Sequence, residues 1–217
     1  MIARPFQRLL RAPTRTLLFL FLLAATSAAG SPGAATWYRE SLLGENGSHA
    51  FVLTTTMINE GSYYRSRELQ NLLRIDKRTG IVVDSILIRA VVIESDPSTY
   101  ARSLREETMP SFDLPAYLRL HGTYGAFSQD PEDLAKLDST GLYLEVGVAR
   151  LVLVPISTIR ARFQPSGEPD AVALLGAEFT MARPDSGLRR MIYYRLCSWP
   201  AGSDVSSSEV LIMVPED

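Results

Sequence analysis

The chain has a single cysteine, Cys197, in 217 residues, so no disulfide can form within it. Cys197 sits in the apolar and aromatic run MIYYRLCSW, which makes a buried, inert thiol the default reading. A domain of this size buries enough core to do without a bridge. Histidine is almost as scarce, with His49 and His121 the only two. A serine hydrolase would need one of them beside a nucleophile. No G-x-S-x-G occurs, and no spacing marks a zinc site. Lysine is limited to Lys77 and Lys136, while arginine supplies the other 20 of 22 basic residues. No acidic residue precedes Glu40. No low-complexity segment or linker divides the chain, so one domain follows the leader.

That acid-free start carries a pattern of its own. Arg4, Arg8, Arg11 and Arg15 precede the apolar run Leu17 to Ala25, and Ser27, Ala28 and Ala29 follow it. Basic, apolar and small residues in this order form a secretory signal peptide over 1–29. The expected cleavage follows Ala28 or Ala29, with Ala35 the next choice. The run is too short for a membrane span, which needs about 20 apolar residues. No cysteine stands directly after it to carry a lipid. Removing four arginines leaves 18 basic residues against 24 acidic, a net charge of −6. Such a domain has no general attraction for nucleic acid. The expected location is the periplasm or beyond, with no membrane span after cleavage.

The remaining chain, 30–217, reads as one β-rich domain with a flexible start at 30–35. His49 to Ile58, Tyr63 to Asp76 and Ile81 to Glu94 are rich in Val, Ile, Thr and Tyr, as strands prefer. Ile81 to Glu94 is apolar on both faces, which predicts a strand covered on both sides and long enough for a bulge. Two segments read as helices. Asp96 and Pro97 open one over Ser95 to Thr108, and Asp130 and Pro131 open another over Gln129 to Gly141. The stretch between them reads as loop, with a strand near Tyr117 to Leu120. Further strands are expected at Leu142 to Val154, Ile156 to Phe163, Val172 to Met181, Leu188 to Trp199 and Glu209 to Val214. The expected fold is mainly β: an antiparallel sandwich or partly open barrel with two short helices.

The turn in LLRIDKRTGIVV, with Asp76 and Gly80, resembles the outer hairpin of a β-propeller blade. Blades recur every ~40–50 residues. LAKLDSTGLYLEV, Leu134 to Val146, matches with one residue deleted, but a helix ending at Gly141 explains it. The repeat fails at its second copy, and the turn is read as an ordinary hairpin.

Candidate chemistry is thin. Asp185-Ser186-Gly187 matches the short aspartic-protease signature, yet Arg183 and Pro184 stand where apolar strand residues belong, so a hairpin turn explains it. Asn46-Gly47-Ser48 is both a glycosylation sequon and a favoured hairpin turn. Arg65 and Arg67 lie two apart on one strand face, and Arg160 and Arg162 are read the same way. Tyr63-Tyr64-Arg65 and Tyr193-Tyr194-Arg195 are similar triplets. Tyr63, Arg65, Arg67, Tyr193 and Arg195 are therefore the candidate ligand-binding residues, suited to an anionic group or a sugar. No catalytic residue, metal ligand or cofactor is expected. The leading function is an exported, non-catalytic binding or structural envelope module, with a small molecule or an envelope protein as partner. The alternative is a secreted hydrolase working through paired carboxylates, which need no motif.

Overall fold

The computed structural model describes residues 35–62, 64–129, 135–146, 149–163, 171–180, 191–199 and 208–215. The signal segment, Asp130 and Pro131, and Asp185-Ser186-Gly187 lie outside them. The described chain is mainly β, with twelve strands and two short helices. A nine-stranded sheet contains β1 (Ala35–Glu45), β2 (His49–Ser62), β3 (Arg65–Asp76), β4 (Val82–Ser95), β5 (Arg102–Glu106), β6 (Tyr124–Gln129), β10 (Ala171–Thr180), β11 (Met191–Trp199) and β12 (Ser208–Pro215). Its order is β12-β11-β10-β6-β1-β2-β3-β4-β5. A separate three-stranded sheet holds β7 (Lys136–Asp138), β8 (Gly141–Val146) and β9 (Ala149–Pro155).

The large sheet folds back on itself. β12 meets β1 again in parallel, with Arg39 opposite Glu209, while every other pairing is antiparallel. Alternation along the strands shows what the fold buries. Leu42, Ala50, Val52, Leu73 and Ile75 from β1–β3 pack against Met191, Tyr193, Leu211 and Met213 from β11 and β12. The opposite face of β11 and β12, with Tyr194, Leu196, Val210 and Ile212, packs under β8 and α2 (Ile156–Arg162), which contribute Leu142 and Ile159, and under Phe163 just beyond that helix. β11 and β12 are thus covered on both sides, and Tyr193 and Tyr194, adjacent in sequence, are both about 1% exposed. Burying side chains of this size is worth roughly 1.5–3 kcal/mol each.

Several local expectations change. Ser95–Thr108 is a turn followed by strand β5, because Asp96 binds the backbone of its own turn and RSLRE pairs with β4. The C-terminal part of Gln129–Gly141 is strand β7 with a tight turn at Asp138, whose carboxylate accepts from Thr140 N. The chain near Tyr117 is helix α1 (Leu114–Leu120): the Asp113 carboxylate accepts from Ala116 N at 2.8 Å and Pro115 lies in the first turn. Ile156–Phe163 is α2 and its C-cap rather than a strand. Its β-branched residues suggested period two, but Ile156, Ile159 and Phe163 face the core at helical spacing. That change also moves Arg160 and Arg162 from a strand face to a helix. Leu142–Val154 divides into the β8–β9 hairpin.

β4 is covered on both faces only at Ala90, Val91 and Val92. Before them Ile81, Val83 and Leu87 are exposed. The bulge does occur: Gln70 pairs with Arg89 and Asn71 with Leu87, leaving Ile88 as the extra residue. α1 shields part of the outer face, where Tyr117 and His121 lie against Phe51 at 6.2 and 5.5 Å.

The turn at Asp76 does recur, at Asp96. In the first, Asp76 N donates to Ile81 O, Gly80 N donates to Asp76 O, and the carboxylate accepts from Arg78 N and Thr79 N. In the second, Asp96 N donates to Ala101 O, Tyr100 N donates to Asp96 O, and the carboxylate accepts from Ser98 N and Thr99 N. Gly80 at φ 71° and Tyr100 at φ 57° hold the same left-handed position. Glycine is at ease there, and a side chain costs ~1–2 kcal/mol. Gly80→Ala is expected to lose about 1 kcal/mol or more, and Tyr100→Gly to gain roughly 0.5–1 kcal/mol after glycine's entropy is counted. Urea midpoints at constant slope check both, and a Tyr100→Gly variant less stable than the parent contradicts the shared geometry.

Candidate functional site

The inner face of β1 should be apolar, yet it carries acids. Tyr38, Glu40 and Leu42 alternate onto that face, opposite Thr56, Thr54 and Val52 of β2. A bulge then interrupts β1: Leu42 pairs with Val52, Gly44 with Phe51, and Glu45 with Ala50. The extra residue turns Glu45 to the same side as Glu40. Gly44 makes the bulge possible, since a Cβ there would stand 2.3 Å from the Tyr124 carbonyl oxygen of β6.

Both acids are buried and both are satisfied. Glu40 takes two bonds from the Arg162 guanidinium, at 2.6 and 2.8 Å. It also accepts from the Tyr38 hydroxyl at 2.8 Å and from Leu211 N at 2.7 Å. One carboxylate thereby joins β1, α2 and β12. Glu45 pairs with Lys77 Nζ at 3.0 Å and accepts from the Tyr193 hydroxyl. Lys77 Nζ also reaches Asn46 O at 3.3 Å. Lys77 comes from the β3–β4 turn and its side chain is only 5% exposed, so this pair pins that turn onto β1 and β11. Burial beside a carboxylate pushes the Tyr38 and Tyr193 hydroxyls well above the ordinary phenol range, which keeps both as donors. Removing one partner of such a buried pair leaves a stranded charge and costs about 3–5 kcal/mol.

A third acid, Glu178 on β10, accepts from Leu42 N at 3.3 Å and pairs with Arg195 at 3.4 Å. Arg195 lies 3.9 Å from Glu209, which pairs with Arg39 at 3.0 Å. The result is a row of alternating charge, Glu178–Arg195–Glu209–Arg39, across β10, β11, β12 and β1. Burial raises the Glu178 carboxyl above its ordinary range, Leu42 N and Arg195 oppose that, and Glu209 adds to it. Cys197, opposite Glu209 in the ladder, is buried, and burial first and Glu209 second push its thiol up, away from the reactive thiolate.

Of the five residues singled out from sequence, the four that are described do not share one surface. Tyr63 lies outside the described residues. Arg65 pairs with Glu60 at 2.7 Å, and Arg67 pairs with Glu107. Tyr193 is buried against Glu45, and Arg195 belongs to the charge row. Along β3, Arg67 lies eight residues from Ile75, the residue across β2 from Ala50 and hence beside Glu45. At ~3.3 Å per residue that is roughly 26 Å from the Tyr193 hydroxyl's end of the sheet. Sequence reading passed over Glu45 and Glu178, noted Glu40 and Lys77 only for composition, and placed Arg162 on a strand face beside Arg160. A signal existed for Glu40, which falls in phase with Tyr38 and Leu42. None existed for Glu45, whose face depends on the bulge.

The two histidines do approach one another. His121 stacks on Tyr117 at 4.5 Å, and its carbonyl accepts from the Asn46 side-chain amide at 2.9 Å. That bond uses the nitrogen a glycan would need. Partial burial lowers the His49 pKa, and Arg74 lowers it further. Among the described residues no group of three or more His, Cys, Asp or Glu side chains is placed to hold a metal ion, and no helix is long and apolar enough to cross a membrane. No family model matches this chain, and neither a curated protein nor a solved structure matches it.

Two outcomes are expected. Gly44→Ala forces the Cβ against the Tyr124 carbonyl and should cost roughly 1–3 kcal/mol in denaturant unfolding; a neutral result contradicts the tight bulge. Glu178 has a raised folded pKa, so its contribution to stability is present below the ordinary carboxyl value of 4.5 and is lost as pH rises through the raised value. Glu178→Gln should therefore be more stable than the parent at pH 7, with the difference fading below pH 4.5. Melting temperatures across that range measure it, and a variant less stable at pH 7 reverses the sign.

Proposed function

We propose that the chain is an exported, non-catalytic binding or structural module of the cell envelope, acting through its sheet surfaces. The observation that carries this reading is the use made of the buried acids. Glu40 and Glu45 are bound on several sides by cations, hydroxyls and a backbone amide that hold the fold together. Acids in that condition stabilise strand packing and are poorly placed to exchange protons with a substrate. Apolar side chains meanwhile lie open on the outer strands, with Ile81, Val83, Leu87 and Leu104 each more than a third exposed. Exposed apolar surface of this kind supports contact with a partner. The basic, apolar and small leader of residues 1–29 supports export.

A secreted hydrolase is the second reading, favoured by one observation: Glu178, raised by burial, shares Arg195 with Glu209. Neighbouring carboxyls, one of them raised by burial, are the usual equipment of acid–base hydrolysis.

Cell fractionation, native mass spectrometry and a substrate screen test these together. The expected product is a chain beginning near Gly30 in the periplasmic or extracellular fraction, with no turnover of ester, glycoside or peptide substrates. Full-length protein in the cytosol overturns export. Turnover that Glu178→Gln abolishes while the fold persists overturns the non-catalytic reading in favour of the hydrolase.

A further inference from the structure

Among the described residues β5 is a free lateral edge of the nine-stranded sheet, and all five of its residues, Arg102-Ser103-Leu104-Arg105-Glu106, are exposed. Leu104 is 71% exposed and Tyr100, just before the strand, 77%. Hydrogen bonding fixes which backbone groups the edge offers. Glu107 N donates to Ala90 O, and Asp96 N donates to Ala101 O, so Ala101, Ser103, Arg105 and Glu107 turn toward β4. Arg102, Leu104 and Glu106 turn their N–H and C=O groups outward.

We propose that this edge pairs with the same edge of a second copy of the chain, antiparallel, about a two-fold axis through Leu104. In that register the outward residues meet as hydrogen-bonded pairs, Leu104 with Leu104 and Arg102 with Glu106 on either side. The seam gains about six backbone hydrogen bonds, two for each bonded pair. RSLRE is complementary to its own reverse in charge, so both flanking pairs bring opposite signs together. Neighbouring registers do worse. A slide of two residues one way sets Arg105 against Arg105, and the other way sets Arg102 against Leu104 and Glu106 against Tyr100. Glu106 already receives Arg89 on one carboxylate oxygen, at 2.7 Å, and a carboxylate accepts more than one cation. An exposed edge strand is a pairing template, and a two-fold axis limits it to two copies.

Tyr100 points the same way. It occupies the left-handed position that Gly80 fills in the matching turn, and its ring makes little contact with its own chain. A strained aromatic kept there is explained by a contact outside the monomer. In the proposed register position 100 falls opposite Thr108 of the second copy, so the two Tyr100 rings close the ends of the seam. The proposal goes beyond the functional reading above and holds equally for an enzyme.

The test is sedimentation velocity of the purified exported chain over a range of concentrations. A reversible dimer is expected. Leu104→Pro removes an outward N–H without touching the bonds to β4, so it should give a folded monomer whose denaturation midpoint matches that of the parent diluted to the monomer. Arg102→Glu and Glu106→Arg should each weaken self-association by about tenfold or more. An equal mixture of those two variants should dimerise again, since both flanking pairs are then of opposite sign. Tyr100→Gly should stabilise the monomer and weaken the dimer. A monomer at every concentration overturns the proposal, as does a dimer indifferent to Leu104→Pro. Association restored by neither the mixture nor the doubly swapped chain overturns the register.

Discussion

The fold depends on one carboxylate. Glu40 stands buried on the inner face of β1, beside the Tyr38 hydroxyl and the backbone of β12, where an unpaired charge would be intolerable. Its charge is met by Arg162, and Tyr38 and Leu211 N supply further donors. Those partners come from three different elements. α2 must lie where its last turn reaches β1, and β12 must return to β1 in parallel for Leu211 to be in reach. An apolar residue at position 40 would impose neither condition. The desolvation cost of the pair is what makes the arrangement specific, because alternative packings leave the acid unmet.

Glu45 repeats the device one bulge further along. Lys77 folds inward from the β3–β4 turn, and Tyr193 reaches across from β11. Strand β1 is therefore tied to both leaves of the folded sheet by acids on a single face. The bulge at Gly44 is the hinge of the arrangement, since without the extra residue Glu45 would face outward and Lys77 would be buried without a counter-charge. Polar clamps of this kind suit a domain that has one cysteine and cannot form an internal disulfide.

Much of the sheet was legible from sequence. Runs of Val, Ile and Thr located β2, β4 and β12, and aliphatic or aromatic runs between turns located β3, β10 and β11, because strand preference and burial agree there. The helices were legible only in part. Asp-Pro at 96–97 and Asp-x-Pro at 113–115 carry nearly the same start signal, and only the second begins a helix, because the chain after Asp96 has β4 to pair with. α2 was read as a strand from its β-branched residues, although Ile156, Ile159 and Phe163 already showed helical spacing. The proposed ligand residues were chosen by local likeness between two Tyr-Tyr-Arg triplets. Sheet order then placed Arg65 and Tyr193 in different surroundings, one exposed beside Glu60 and Glu94, the other under Glu45. The buried acids escaped notice because a Glu in a strand reads as an outward residue until its phase is followed through every bulge.

The central claim is that Glu40 and Arg162 act as one structural unit. A double-mutant cycle with Glu40→Gln and Arg162→Met, read by denaturant unfolding, tests it directly. The account predicts that the two losses are far from additive, with a coupling of about 2 kcal/mol or more, in the upper range for contacting residues. Losses that add to within ~0.5 kcal/mol would contradict it, and would mean that α2 and β1 are held together by apolar packing alone.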